Sequence, residues 1–142
     1  MNKKFVIFPI VVIIGIIVVF SSDKTDDGND VIFHVTLADP NLYSNGVYTN
    51  TFTINKGEYS FRFVPNGSSP EKLSILLQGS NFDFDEDFML ENTLHQTGIS
   101  EYFTWEYVGE KIIQIPESQE ITIVLNPNGN IMGSVSVDIL EN

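Results

Sequence analysis

Three aspartates, Asp83, Asp85 and Asp87, alternate with phenylalanine and glutamate across residues 81–88. In an extended strand they share one face, about 6.5–7 Å apart, and Phe82, Phe84 and Phe88 take the other. Carboxylate oxygens are the donors Ca²⁺ prefers. The stretch departs from an EF-hand loop, however. Counting from Asp83, the sixth residue is Phe88 where glycine is needed, and the twelfth is Leu94 where glutamate is needed. The pattern fits an amphipathic edge strand whose charges block edge-to-edge pairing.

Phe103, Trp105 and Tyr107 recur at period two, with Glu101 at one end of the same face. An exposed aromatic row would stack on a sugar ring. A buried row would be core, the commoner fate of such residues. Glu101 suggests that the face runs out to solvent. His34 and His95 are the two histidines. They would hold a metal only with carboxylate help, and His34 alternates with Ile32 and Thr36 on a half-exposed strand. The tether acids Asp23, Asp26, Asp27 and Asp30 lack a rigid frame for coordination.

No serine sits in a Gly-x-Ser-x-Gly elbow; the stretch Gly98-Ile99-Ser100-Glu101-Tyr102 misses it. There is no phosphate loop and no dinucleotide fingerprint. Nineteen acidic residues make some carboxylate pair inevitable, so a glycosidase pair carries no information by counting. Asn66-Gly67-Ser68 is an N-glycosylation sequon in an expected surface loop.

What must position these residues is a chain in two parts. Residues 5–20, FVIFPIVVIIGIIVVF, carry no charge and follow Lys3 and Lys4. As a helix they cover about 24 Å, which Ser21 and Ser22 extend toward the roughly 30 Å hydrocarbon core. An isolated span in lipid must satisfy its own backbone, so it is helical. The expectation is a transmembrane anchor over 5–22, with residues 1–4 cytoplasmic. The alternative is a cleaved signal peptide ending near Val19-Phe20-Ser21. Both send the remainder across the membrane. Without cysteine there is no lipoprotein anchor.

All nineteen acidic residues follow position 22, against five basic ones, leaving that part at −14. Such a surface repels phosphate backbones and anionic headgroups, which argues against nucleic acid as a partner. Absence of cysteine excludes disulfides, thiolate metal sites and blue copper. The head must therefore stand on its apolar core.

Residues 23–30, DKTDDGND, form an acidic tether. From Val31 the pattern becomes period two. Strands are expected around 31–37, 48–54, 59–63, 73–77, 81–88, 103–107, 111–115, 121–125 and 131–139, separated by turn residues. Asn55-Lys56-Gly57 reads as a hairpin turn, and 126–130, NPNGN, is the strongest turn signal. Residues 89–99 break the alternation and read as a loop or helical turn. The expected fold is all-β, an antiparallel β-sandwich, jelly-roll-like, of eight to nine strands over 31–142, preceded by one N-terminal transmembrane helix.

Residues 52–79, FTINKGEYSFRFVPNGSSPEKLSILLQG, resemble the apolar-x-x-x-Gly-x-Tyr-x-Phe hairpin and following strand of extracytoplasmic β-sandwich families, among them GOLD and pre-peptidase C-terminal domains. Anchor plus sandwich also resembles small archaeal envelope proteins. The resemblance implies a non-catalytic binding or structural domain and brings no site residues.

The expected function is a non-catalytic, membrane-anchored, extracytoplasmic sandwich that meets a protein partner in the cell envelope, with no cofactor and no metal. The alternatives are a carbohydrate-binding module using Phe103, Trp105 and Tyr107, and a secreted hydrolase with a carboxylate pair.

Overall fold

The computed structural model describes residues 30–142. The expected anchor, and the tether up to its last residue, lie outside the described residues. Among the described residues, no helix is long and apolar enough to cross a membrane.

Period-two alternation produces nine strands: β1 (Val31–Leu37), β2 (Tyr48–Ile54), β3 (Gly57–Val64), β4 (Lys72–Gln78), β5 (Asp83–Gln96), β6 (Glu101–Val108), β7 (Ile112–Ile115), β8 (Gln119–Asn126) and β9 (Val135–Glu141). A single 3-10 turn, Pro40–Leu42, interrupts them, capped by Asp39, which accepts from the Asn41 backbone N–H. The strands form two antiparallel sheets, ordered β1-β9-β3-β7 and β2-β8-β4-β5-β6.

The pairings nest. β1 pairs with β9, β2 with β8, β3 with β7 and β4 with β5. The first half of the chain thus lies antiparallel along the second, as one long ribbon that is then rolled. Two further pairings, β3 with β9 and β4 with β8, knit the rolled ribbon into sheets.

Each sheet turns one face inward. β4 and β8 bury alternate residues, Leu73, Ile75 and Leu77 on one and Ile121, Ile123 and Leu125 on the other, all sealed from water. The opposite sheet supplies Tyr59, Phe61, Ile113, Ile115, Val137 and Ile139. Aromatic rings bridge the sheets: Phe61 lies 5.5 Å from Phe84 and 5.7 Å from Phe88, and Phe63 lies 5.1 Å from Tyr107. Tilted and edge-on rings at such distances add about 0.5–1.5 kcal/mol per pair beyond burial.

Three expectations are corrected. Asn55-Lys56-Gly57 does not close a hairpin, because β2 and β3 belong to different sheets. It is a corner at which the chain crosses over, and the Tyr59 hydroxyl fixes it by donating to the Asn55 carbonyl at 2.7 Å. Residues 89–96 are strand rather than loop or helix, continuing β5 to fourteen residues. Their alternation fails because both faces are wet there, so burial imposes no pattern. The last strand begins at Val135 rather than Ile131. The 126–130 turn forms as read, with Asn128 at φ 54° and Gly129 at φ 97°, the left-handed region that Asn and Gly tolerate.

Two buried phenols give a paired test. The Tyr107 hydroxyl donates to the Pro70 carbonyl at 2.6 Å, and burial raises its pKa strongly. Tyr43 has a buried hydroxyl without a protein partner, and burial raises its pKa too. Removing a paired group leaves an acceptor unsatisfied, whereas removing an unpaired one removes only a desolvation cost. Tyr107→Phe is expected to lose about 1–2 kcal/mol in denaturant melts, and Tyr43→Phe to be neutral or stabilising. Equal losses in both would contradict this assignment.

Candidate functional site

The feature most open to a partner is the outer half of β5 with β6. Up to Met89, β5 pairs with β4; from Met89 to Gln96 it pairs with β6. Beyond Leu90 and Tyr107, among the described residues, these two strands pair only with each other, and the hairpin projects as a two-stranded arm. A lone hairpin is marginal in water, so this one depends on its cross-strand pairs. His95 stacks on Tyr102 with ring centres 4.9 Å apart, and its Nε2 lies 2.9 Å from Thr104 Oγ1. Leu94 stands opposite Phe103, and Gln96 donates to Glu101 at 3.0 Å. The tip is tied by the Thr97 N–H donating to the Ser100 carbonyl and the Ser100 N–H donating to Thr97 Oγ1.

The arm carries apolar side chains into solvent. Ile99 at the tip is 98% exposed, Tyr102 and Phe103 are each 52% exposed, and Leu94 is 45% exposed. The aromatic row read from the sequence is divided along this gradient. Tyr107 at the root is core, so it is lost to any ligand; this corrects the three-residue platform. Trp105 is half-buried, its indole against Gly67, where an added Cβ would lie 3.3 Å from the ring. Phe103 and Glu101 run out to solvent, as Glu101 suggested.

At the root of the arm Trp105 lines a cleft of about 510 Å³ with Gly67, Ser69, Glu71, Leu90, Glu91 and Asn92. Carboxylates and an amide here stand beside one aromatic ring. That set can accept from and donate to hydroxyl groups while the indole supplies a flat apolar surface.

The aspartate strip lies where an edge strand would put it. Asp83, Asp85 and Asp87 face water, Phe84 and Phe88 face the core, and this half of β5 has a partner on one side only. Asp87 accepts from Ser74 Oγ at 2.6 Å, and Glu86 accepts from the Glu110 N–H at 2.7 Å. Among the described residues, no group of three or more His, Cys, Asp and Glu side chains is placed to hold a metal ion. His34 and His95 lie on different sheets. Asn66 is exposed in the β3–β4 turn; its Oδ1 accepts from the Ser68 N–H at 2.8 Å and its Nδ2 donates to Ser134 at 3.0 Å.

A polar rung that the sequence did not disclose crosses the other sheet. Asp138 on central β9 stands level with His34 on β1 and Arg62 on β3. Its Oδ1 lies 2.5 Å from His34 Nδ1, and its Oδ2 accepts from Arg62 Nη2 at 2.7 Å and Nε at 3.0 Å. The carboxylate is 4% exposed because those two side chains cover it. Burial pushes its pKa up, but hydrogen bonds from His34 and Arg62 and their charges outweigh this, and the net direction is down. Thr36 Oγ1 lies 3.2 Å from His34 Nε2, which completes a hydroxyl–imidazole–carboxylate line of the hydrolase type. The line lies on an exposed sheet face, its hydroxyl also bonded to Ser136 and its carboxylate committed to Arg62. That is the arrangement of a clamp holding β1 and β3 to β9.

No protein-family profile matches the chain, and neither a curated protein nor a solved structure does.

Because its folded pKa lies below the ordinary carboxylate value of 3.8, Asp138 contributes stability that is complete above that value. The contribution is lost as pH falls through the folded pKa. Asp138→Ala is expected to cost about 1–3 kcal/mol at pH 7, less than a fully enclosed ion pair, because His34 and Arg62 are half-exposed and rehydrate. The deficit should shrink in melts carried below pH 3.8. A deficit independent of pH would contradict the charge-based account.

Proposed function

We propose that this chain is a non-catalytic, extracytoplasmic binding module, held at a membrane by residues 5–22, that meets a protein partner in the cell envelope through the β5–β6 arm. The observation that carries the reading is the arm itself: Leu94, Ile99, Tyr102 and Phe103 stand in solvent on a ribbon with no core beneath it. Leu94 and Phe103 share one face of the ribbon, Tyr102 takes the other and Ile99 the tip, and apolar side chains left in solvent this close together mark an interaction surface. The fold assignment within this reading is the jelly roll. Nested pairing supports it, with β6 as an addition to the eight-strand pattern of two interlocked Greek keys. Net charge, −12 over the whole chain, supports a partner other than nucleic acid.

The test is one of place and of surface. Protease added to intact cells or spheroplasts is expected to digest residues 31–142. Digestion only after the membrane is breached would overturn the extracytoplasmic placement. Ile99→Ser, at the exposed tip and outside the cross-strand pairs that hold the arm, is expected to weaken the chain's hold on its envelope complex without lowering its melting temperature. Undiminished retention in the complex would remove the arm from this role.

The cleft at Trp105 favours a second reading, binding of a neutral saccharide. Glycan-array binding by the full chain, abolished in Trp105→Ala, is the expected result. A blank array with the wild type would discard it.

A further inference from the structure

Among the described residues β6 ends the five-stranded sheet, and its outer edge has no strand beside it. Natural edges are blunted by charged side chains, lysine above all, by proline, by a bulge or by short length. β1 at the other sheet's edge has a register shift between Val31 and Phe33, and β7 is four residues long. β6, like β2 at the far edge of the same sheet, has no lysine, proline or bulge, and its charges are limited to Glu101 and Glu106. It spans eight residues, EYFTWEYV, in unbroken register with β5.

Which backbone groups are free follows from the ladder. The Thr97 N–H bonds to the Ser100 carbonyl across the hairpin, and alternate pairs along an antiparallel ladder repeat that bonding. His95 with Tyr102, and Thr93 with Thr104, are therefore the bonded pairs. The Leu90 N–H agrees with this parity, since it turns away from β6 to the Glu71 carbonyl at 2.8 Å. The N–H and C=O groups of Glu101, Phe103 and Trp105 consequently point outward from the sheet edge.

We propose that two copies of the chain join through this edge, β6 against β6 around a twofold axis at Thr104. Parity permits an antiparallel match only between outward-pointing residues. In this register Phe103 of each copy bonds to Trp105 of the other, and Thr104 faces its own mate. Glu106 stands opposite Tyr102, and Glu101 opposite Tyr107, so no carboxylate meets a carboxylate. That charge match suits an acidic chain, in which most self-contacts would be repulsive. Cross-strand pairing of Phe103 with Trp105 would be aromatic on aromatic, among the more favourable kinds. The two five-stranded sheets become one of ten strands, and each arm gains the neighbour that a lone hairpin lacks. This inference goes beyond the binding role proposed above and uses the arm's edge rather than its faces.

The chain contains no cysteine, so a single introduced thiol reports cleanly. Thr104→Cys in the full chain, in membranes under mild oxidant, is expected to give a disulfide dimer as the main species. Thr93→Cys lies on the same face one strand inward, roughly 14 Å from its mate in the dimer, and is expected to give only a collisional background. Phe103→Pro removes an N–H that points away from β5. It should leave the melting temperature within a few degrees of wild type and convert a detergent-solubilised dimer to monomer by light scattering. A wild-type chain that stays monomeric at 100-fold dilution steps up to about 100 μM, or equal cross-linking at positions 93 and 104, would overturn the proposal.

Discussion

Leu73, Ile75, Leu77, Ile121, Ile123 and Leu125 close one inner face, and Tyr59, Phe61, Ile113, Val137 and Ile139 close the other, with no cysteine anywhere to staple them. Burial of these two faces against each other is the constraint on which the remainder of the structure depends. It fixes which residues of each strand turn inward, and a slip of one position would send every one of them to water. The outward residues are then free to carry charge, and they do so: Asp83, Asp85 and Asp87 line one strand opposite Phe84 and Phe88. The acidity of the surface and the tightness of the core are two sides of one alternation.

Where that constraint stops, the character of the chain changes. Past Leu90 and Tyr107 the ribbon's strands pair only with each other, and apart from Trp105 resting on Gly67 they persist on cross-strand contacts. The His95–Tyr102 stack and the Leu94–Phe103 pair stand in for a core. Apolar side chains that elsewhere vanish into the sandwich are here in the solvent. The cleft with Trp105 occupies the junction between the two regimes, where an aromatic ring is still held by backbone at Gly67 but its neighbours, Glu91 and Asn92, already face water.

The strands were legible in the sequence wherever burial enforces period two. Val31–Leu37 and Tyr48–Ile54 coincide with the expected bounds because Phe33, Val35 and Leu37 on the one and Tyr48, Phe52 and Ile54 on the other turn to the core. Partnership was not legible, since alternation says which face a residue takes and nothing about which strand lies beside it. That is why Asn55-Lys56-Gly57 read as a hairpin when it is a crossover. The arm was misread for the opposite reason: with both faces wet, residues 89–96 lack the periodicity that betrays a strand. The His34–Asp138–Arg62 rung joins residues 104 and 76 positions apart. Its one local trace is a lone carboxylate within the largely apolar stretch Val135–Leu140, a charge that no strand would bury without partners.

The nested pairing also sets an order of events. β1 finds its mate only in β9, so the four-stranded sheet cannot assemble before Val135–Glu141 have been made. Contacts of such long range are slow to form. Until Val135 to Glu141 arrive, Phe33, Val35 and Leu37 have no wall to lie against, and the many carboxylates on the same polypeptide are what keep the waiting chains from sticking to one another.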